Sequence, residues 1–388
     1  MAERRLVMHP QSGVKPKKIH DLIKAPANLP WALEKKQSWD ADDLATVYHT
    51  PETLSDGTPT QAVTVILRTK GCHWWWSSGC TFCGYFNDTR DDVTAENLFS
   101  QWEKAKEKYH NFKEMGMVKV YTSGSLLEDR EIPLEFQQRV LKDCHDLNKE
   151  LVIESRTEQI TDEKLQWATK QNPNFTVAIG LEAYDDGVLR FHVNKGFSVS
   201  SWDRAVQLLQ KYSLRVKTYL MFKPPFMSEG DALLHGINWV KAVAEKSDEI
   251  SVNPMNIQKG TIIDRLYRFD QFRPPWLWSL VSMIEQTHAF IHPKDGVNGD
   301  KDQVSRLIIH PTAGGKPRGA HNCGDCDSDV VAAIERYSVS GDLIDLEGLS
   351  CSCKEVWQEE ISLDGALPNP LGVGLRRRGL SRLNLRKT

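Results

Sequence analysis

The 388-residue chain reads as an α/β protein. The expected core is a parallel sheet rolled into a partial (β/α)6 TIM-like barrel, followed by a small C-terminal metal-binding unit. Two observations lead there. Six short apolar, β-branched runs alternate with helical patterns between residues 61 and 290, and such alternation builds a parallel sheet. Small or polar residues also follow each of the six runs. That suits a barrel with one central site at the C-terminal ends of its strands. A doubly wound sheet would gather them at a single switch point.

The elements follow in order. Residues 1–60 are polar, with scattered Pro and Lys, and read as an N-terminal arm with one short helix around Asp43–Tyr48. The strands are AVTVILRT (62–69), VKVYTSG (118–124), LVIES (151–155), FTVAIGLE (175–182), RVKTYLMF (215–222) and ISVNPM (250–255). Each is short, apolar and β-branched, as buried strands are. Helical patterns cover 94–109, 132–148, 162–170, 200–212 and 230–246. Thr94 is suited to cap the first, with Glu96 in its opening turn. PPWLWS (274–279) begins a further helix with proline in its first turn. After about 290 the rhythm stops. Residues 291–370 hold a Gly/Pro-rich loop, four cysteines and one helix near 327–337, and 371–388 form a basic tail.

Composition narrows the function. Lys plus Arg number 49 and Asp plus Glu 52, for a net charge of −3, which argues against a protein that coats polyanions. The N-terminus has no apolar h-region and no run spans a bilayer, so a cytoplasmic protein without membrane contact is expected. In that compartment eight cysteines point to metal or redox chemistry rather than to disulfides.

The loop GCHWWWSSGCTFCGYFND (71–88) places Cys72, Cys80 and Cys83 together after the first strand. Thiolates are the ligands that zinc and iron–sulfur clusters demand. Three leave one position open, whereas a structural zinc site is closed by four. The bland readings are three buried structural cysteines, or a zinc site completed by His73.

Strand, cysteine loop and six β/α units together resemble the radical S-adenosylmethionine (SAM) superfamily over residues of roughly 60–290. The spacing departs from its commonest pattern: seven residues, including Trp74–Trp76, separate the first two cysteines, where three are usual. The resemblance implies that Cys72, Cys80 and Cys83 hold a 4Fe–4S cluster whose free iron takes the amino and carboxylate groups of SAM. It puts Phe82 and Tyr85 near the adenine. It puts Ser123, Gly124 and Ser125, with Thr122, at the glycine-rich turn that meets the methionine moiety, although that turn lacks the family's acidic residue. Glu154, Arg156 and Glu182 are the implied partners of SAM hydroxyl and carboxylate groups; each is equally readable as half of a rim salt bridge. Lys195, Tyr219, Lys223 and Asn256 are weaker pocket candidates.

Cys323, Cys326, Cys351 and Cys353 make a second group, in HNCGDC and CSC. Four thiolates close a tetrahedral site, so zinc is expected first and an auxiliary iron–sulfur cluster second. Cys144 reads as a core residue. Trp276 and Trp278 suit either base stacking or a packed core.

Longer strings narrow the resemblance: YTSGSLLEDREIP (121–133), NPMNIQKGT (253–261), YRFDQFRPPWLWS (267–279), GGKPRGAHNCGDCD (314–327) and CSCKEVW (351–357). Together they resemble the radical SAM subunit family of archaeosine synthase. The resemblance implies a lyase acting on tRNA whose D-loop carries a lysine-modified 7-deazaguanine. The enzyme would cleave the lysine C–N bond through a 5′-deoxyadenosyl radical to leave archaeosine. The implied partners are that tRNA, the lysine-transferring subunit and an electron donor. Two alternatives stand beside it: another radical SAM tRNA modification, such as methylthiolation or carboxymethyl addition, and a non-catalytic, zinc-stabilised adaptor. Residues 371–388 hold six basic and no acidic side chains, leaving −9 on the rest of the chain. An acidic body with a basic tail leads us to expect that a partner grips the tRNA.

Overall fold

The computed structural model describes Ile23, residues 39–292 and residues 305–364. Eight strands lie in one sheet in strict chain order: β1 (Thr46–Thr53), β2 (Pro59–Ile66), β3 (Met117–Tyr121), β4 (Glu150–Glu154), β5 (Phe175–Glu182), β6 (Arg215–Phe222), β7 (Glu249–Pro254) and β8 (Arg306–Ile309). β1 pairs antiparallel with β2; every later pair is parallel. The expected α/β partial barrel, with six consecutive parallel strands at its centre, is therefore the observed fold.

Two strands differ from expectation. Asp43–Tyr48 is not a helix: Thr46–Thr53 is a strand. Its alternation is weak because it is an edge strand with one side in solvent. Only Glu52 is buried, and β2 supplies its partner edge. The second is β8, too short to stand out from sequence, which pairs with β7 over four residues. The sheet thus reaches beyond residues 61–290 at both ends.

The helices cover the outside. They are α1 (His73–Ser77), α2 (Ala95–Lys108), α3 (Leu134–Asp146), α4 (Asp162–Gln171), α5 (Val199–Lys211), α6 (Glu229–Ala244), α7 (Ile262–Arg268), α8 (Leu277–Ile291), α9 (Asp327–Ser340) and α10 (Cys353–Asp364). Thr94 caps α2 in a reciprocal box with Asn97, and Thr161, Ser198, Ser228 and Thr261 cap α4, α5, α6 and α7. Each supplies an acceptor to an otherwise orphaned amide. α8 starts at Leu277, so both prolines of PPWLWS precede its cap. Trp102, Trp202, Trp278 and Phe136 are fully buried between sheet and helices, each large ring removing apolar surface from water. Cys144 is buried in α3. Among the described residues no helix is long and apolar enough to cross a membrane.

The N-terminal end of the barrel is closed by charge. Lys119, Lys217 and Glu52 are buried there, with Glu249 half-buried beside them, around a cavity of about 190 Å³. Burial alone would raise the Glu52 pKa, but Lys119, Lys217 and Arg306 outweigh it and hold it at about 2. This end is a structural plug, and the cysteines lie at the opposite end.

Candidate active site at the barrel mouth

The first cysteine loop leaves β2 and is pinned from two sides. On one side Trp74 Nε1 donates to Asn194 O at 2.7 Å, and Asn194 Nδ2 donates to Gly79 O at 2.6 Å. Thr81 Oγ1 donates to His192 O at 2.6 Å. These partners belong to the π-turn Leu189–Val193 and the left-handed Asn194 that follow β5. A Cβ on Gly196 would come within 2.6 Å of the Trp74 ring, so only glycine lets the indole sit so close. The seven-residue gap thus holds α1, whose tryptophans anchor the loop: Trp75 stacks on Phe86 at 4.0 Å and is buried. On the other side Gly84 N donates to Gln258 Oε1 at 2.6 Å, and Asn87 Nδ2 donates to Lys259 O at 3.0 Å. Phe82 packs against both the main core and the Met221–Met255–Phe272 cluster.

Cys72, Cys80 and Cys83 are free thiols, each half-buried. Burial raises all three pKa values, that of Cys80 to about 11. Arg156 acts in the other direction on Cys72 and Cys80, and Lys195 on Cys80 and Cys83. Three thiols set in low dielectric beside two cations are an arrangement that a cationic cluster centre completes. His73 turns away, its Nδ1 lying 3.5 Å from Arg130.

The other expected residues divide. Ser125 N donates to Glu131 Oε2 at 2.8 Å, and Ser125 Oγ accepts from Arg156 N at 2.9 Å. Gly124 lies over Cys72, where an added Cβ would be 2.8 Å from the Cys72 Cα. Ser123 sits in the same turn, half-buried. Glu131 escaped the sequence reading, since it lies six residues past the turn. It folds back beneath it, accepts from Thr69 Oγ1 at 2.6 Å, and burial pushes it up to about 7. Arg156 is buried, ion-paired to Glu158 at 2.5 Å, with its guanidinium 5.7 Å from Trp74 and 5.2 Å from Phe197. Glu182 pairs with Lys195 at 2.8 Å across Gly180. Its φ of +71°, at a bulge in β5, turns the carboxylate toward the mouth. Tyr85 is 54% exposed because it faces the open mouth. Glu154 stands inside the barrel with Tyr219, and its enclosure raises its pKa to about 8. Lys223 is not in this group: it is buried against Glu229 at 2.7 Å. Asn256 is half-buried in the loop after β7.

The second group is compact. The sulfurs of Cys323, Cys326, Cys351 and Cys353 all lie within 4.8 Å of one another. The Cys323–Cys351 and Cys326–Cys353 separations are both 3.7 Å. The backbone N–H of Cys353 and the neighbouring thiols hold Cys351 down at about 7. Trp278 Nε1 donates to Cys353 Sγ at 3.2 Å, and Trp276 Nε1 to Glu360 at 2.7 Å. Both rings are buried, so they pack the C-terminal unit onto α8 and are not available to a base.

No family model matches the chain. A protein of Methanosarcina acetivorans named archaeosine synthase subunit beta is 34% identical over 345 residues, covering 88% of this chain and 92% of that one. The chain belongs to the archaeosine synthase subunit beta family. A second protein of that name, from Thermococcus kodakarensis, is 31% identical over 318 residues, covering 80% of this chain and 95% of that one. Among solved structures, Elp3 of Methanocaldococcus infernus aligns with TM-score 0.47 at 16% identity, covering 75% of this chain and 63% of that one. Methylornithine synthase aligns with TM-score 0.43 at 14% identity, covering 89% and 93%.

Proposed function

We propose that the chain is a radical SAM enzyme that cleaves the lysine C–N bond of a lysine-modified 7-deazaguanine in tRNA, producing archaeosine together with a lysine-transferring partner subunit. The observation that supports it most is the convergence, in a member of this family, of three cysteines, two cations and a small-residue turn at one end of the barrel. When bound, a 4Fe–4S cluster on Cys72, Cys80 and Cys83 and SAM beside it would supply a 5′-deoxyadenosyl radical, given one electron from an external donor. The chain's own residues orient and enclose the reactants. Arg156 suits a carboxylate. Glu182, freed from Lys195, suits ribose hydroxyls, and the Ser123–Ser125 turn admits close backbone approach. Tyr85 and Phe82 offer apolar surface at the mouth, and exclusion of water there protects a radical from quenching.

The second cysteine group supports zinc. Four sulfurs at the Zn–S distance of about 2.3 Å in a tetrahedron stand about 3.8 Å apart, close to the two 3.7 Å separations. A cubane spreads its ligands wider, because each cysteine takes a different iron. The same compactness counts against methylthiolation, which needs a second cluster.

The test is anaerobic reconstitution with iron and sulfide, followed by reduction with dithionite in the presence of SAM and lysine-modified tRNA. The expected products are 5′-deoxyadenosine and archaeosine-containing tRNA, both lost in Cys83→Ala. SAM cleavage without any change in the modified nucleoside would refute the assigned substrate, and retention of cleavage in Cys83→Ala would refute the cluster site.

A further inference from the structure

The chain is slightly acidic overall, yet one side of the barrel mouth is cationic. Lys259, Arg265 and Arg268 are exposed on α7 and the loop before it, and Lys316 is exposed on the glycine-rich loop of the C-terminal unit. The two segments are joined: Ile257 N donates to Arg318 O at 2.7 Å, and Arg318 Nε donates back to Ile257 O at 3.0 Å. The buried acid among them, Asp264, is already engaged. It accepts from Arg318 at 2.7 Å and from Gly260 N at 2.9 Å, and pairs with Arg268 at 3.0 Å. Asp264 thus offsets Arg268 and Arg318, and Asp270 is exposed beside Phe269, so the cationic excess of this rim rests on Arg265 and Lys316.

An aromatic platform stands beside them. Phe269, directly after α7, is 68% exposed, more than any other large apolar side chain among the described residues. A ring so placed gains nothing from the fold, whereas a nucleobase stacked on it contributes about 1–3 kcal/mol. Lys and Arg at fixed positions around such a ring suit phosphates on either side of a stacked base.

The patch borders the candidate active site. The segment that carries it holds Gly84 through Gln258 and Asn87 through Lys259, and Ile262 N donates to Thr81 O at 3.1 Å. RNA lying on it would present an unstacked base to the mouth within the same local structure.

We propose that Lys259, Arg265, Arg268 and Lys316, with Phe269 as the stacking platform, form an RNA-binding rim on this chain. It grips the backbone beside the nucleotide that enters the barrel. The inference rests on the tRNA reading above, and it reverses the expectation from net charge that a partner alone holds the tRNA.

The test uses the full chain and tRNA in a salt titration followed by fluorescence anisotropy. Arg265→Glu/Lys316→Glu should weaken binding at least tenfold and lower the slope of log K against log salt by roughly 1.4–1.8, about 0.7–0.9 per lost contact. Phe269→Ala should weaken binding at least fivefold with the slope unchanged. Lys142→Glu, on the outer face of α3, serves as the control and should bind as wild type. Melting temperature and iron content of each variant report folding. Unchanged affinity and slope in both rim variants would overturn the proposal. Full tRNA binding with lost binding of the lysine-transferring subunit would also overturn it, making the patch a protein-docking surface. If wild type converts lysine-modified tRNA and the rim variants do so with the same KM, only the rim is wrong. If wild type neither binds nor converts tRNA, the tRNA reading itself has failed.

Discussion

The Arg306 guanidinium, on the last strand, lies 3.0 Å from the Glu52 carboxylate on the first. The sheet does not close by strand pairing, since β1 and β8 are its two edges. An ion pair bridges the gap instead, with Lys119 and Lys217 completing the cluster.

Removing Glu52 should therefore loosen the barrel. Glu52→Ala leaves Lys119 buried without its partner, and breaking a buried pair typically costs about 3–5 kcal/mol. Urea unfolding at neutral pH should show a loss of that order. A loss below about 1 kcal/mol would mean that the plug is not structural.

The same group sets an acid limit. Its folded pKa, about 2, lies below its ordinary value of 4.5. The unfolded chain therefore binds more protons between those values, and the stabilisation, complete above 4.5, is lost as pH falls toward 2. Glu52→Gln should flatten stability against pH in that window while leaving the slope above pH 5 unchanged. Parallel curves for wild type and variant would contradict this assignment.

Gly124 and Glu131 share one hollow. A Cβ at position 124 would meet Glu131 Oε2 at 2.4 Å and the Cys72 Cα at 2.8 Å. Gly124→Ala should lower reconstituted iron content and perturb the cluster's electron paramagnetic resonance, while far-ultraviolet circular dichroism stays native. Glu131→Ala strands Thr69 Oγ1 and Ser125 N, costing about 1–3 kcal/mol, which thermal unfolding would detect.

Gln258 accepts from Gly84 N and lies beside the Tyr85 hydroxyl, which it favours in its ionised form against the burial that raises its pKa. Gln258→Ala should weaken SAM binding about fivefold or more, the equivalent of one hydrogen bond of about 1 kcal/mol, with iron content maintained. Calorimetry on the reconstituted protein measures this, and unchanged affinity would show that Gln258 braces the loop without positioning Tyr85.

Metal analysis after anaerobic reconstitution should give four irons and one zinc per chain. Cys351→Ser should lose the zinc and keep the irons. Eight irons would assign the C-terminal group to a second cluster.

Much of this protein is legible in its sequence. Local patterns suffice for the six parallel strands, because a strand covered on both faces is predominantly apolar and β-branched and must be followed by a chain reversal. Spacing alone brings out the first cysteine group, since ligands on one short loop cannot lie far apart; the second is legible as two close pairs, which folding joins across the 28 residues from Cys323 to Cys351. The antiparallel edge strand was missed because one exposed face erases the apolar signal. Tertiary structure decided what sequence distance conceals. Glu131 lies beneath a turn six residues upstream, and Asn194 and Gln258 reach the cysteine loop across 115 and 174 residues. Lys223, beside a strand end like the others, is drawn into a buried pair with Glu229. Net charge gave no hint of the cationic rim, because a sum over the chain has no direction. Only folding gathers Lys259, Arg265, Arg268 and Lys316 on one side of the mouth.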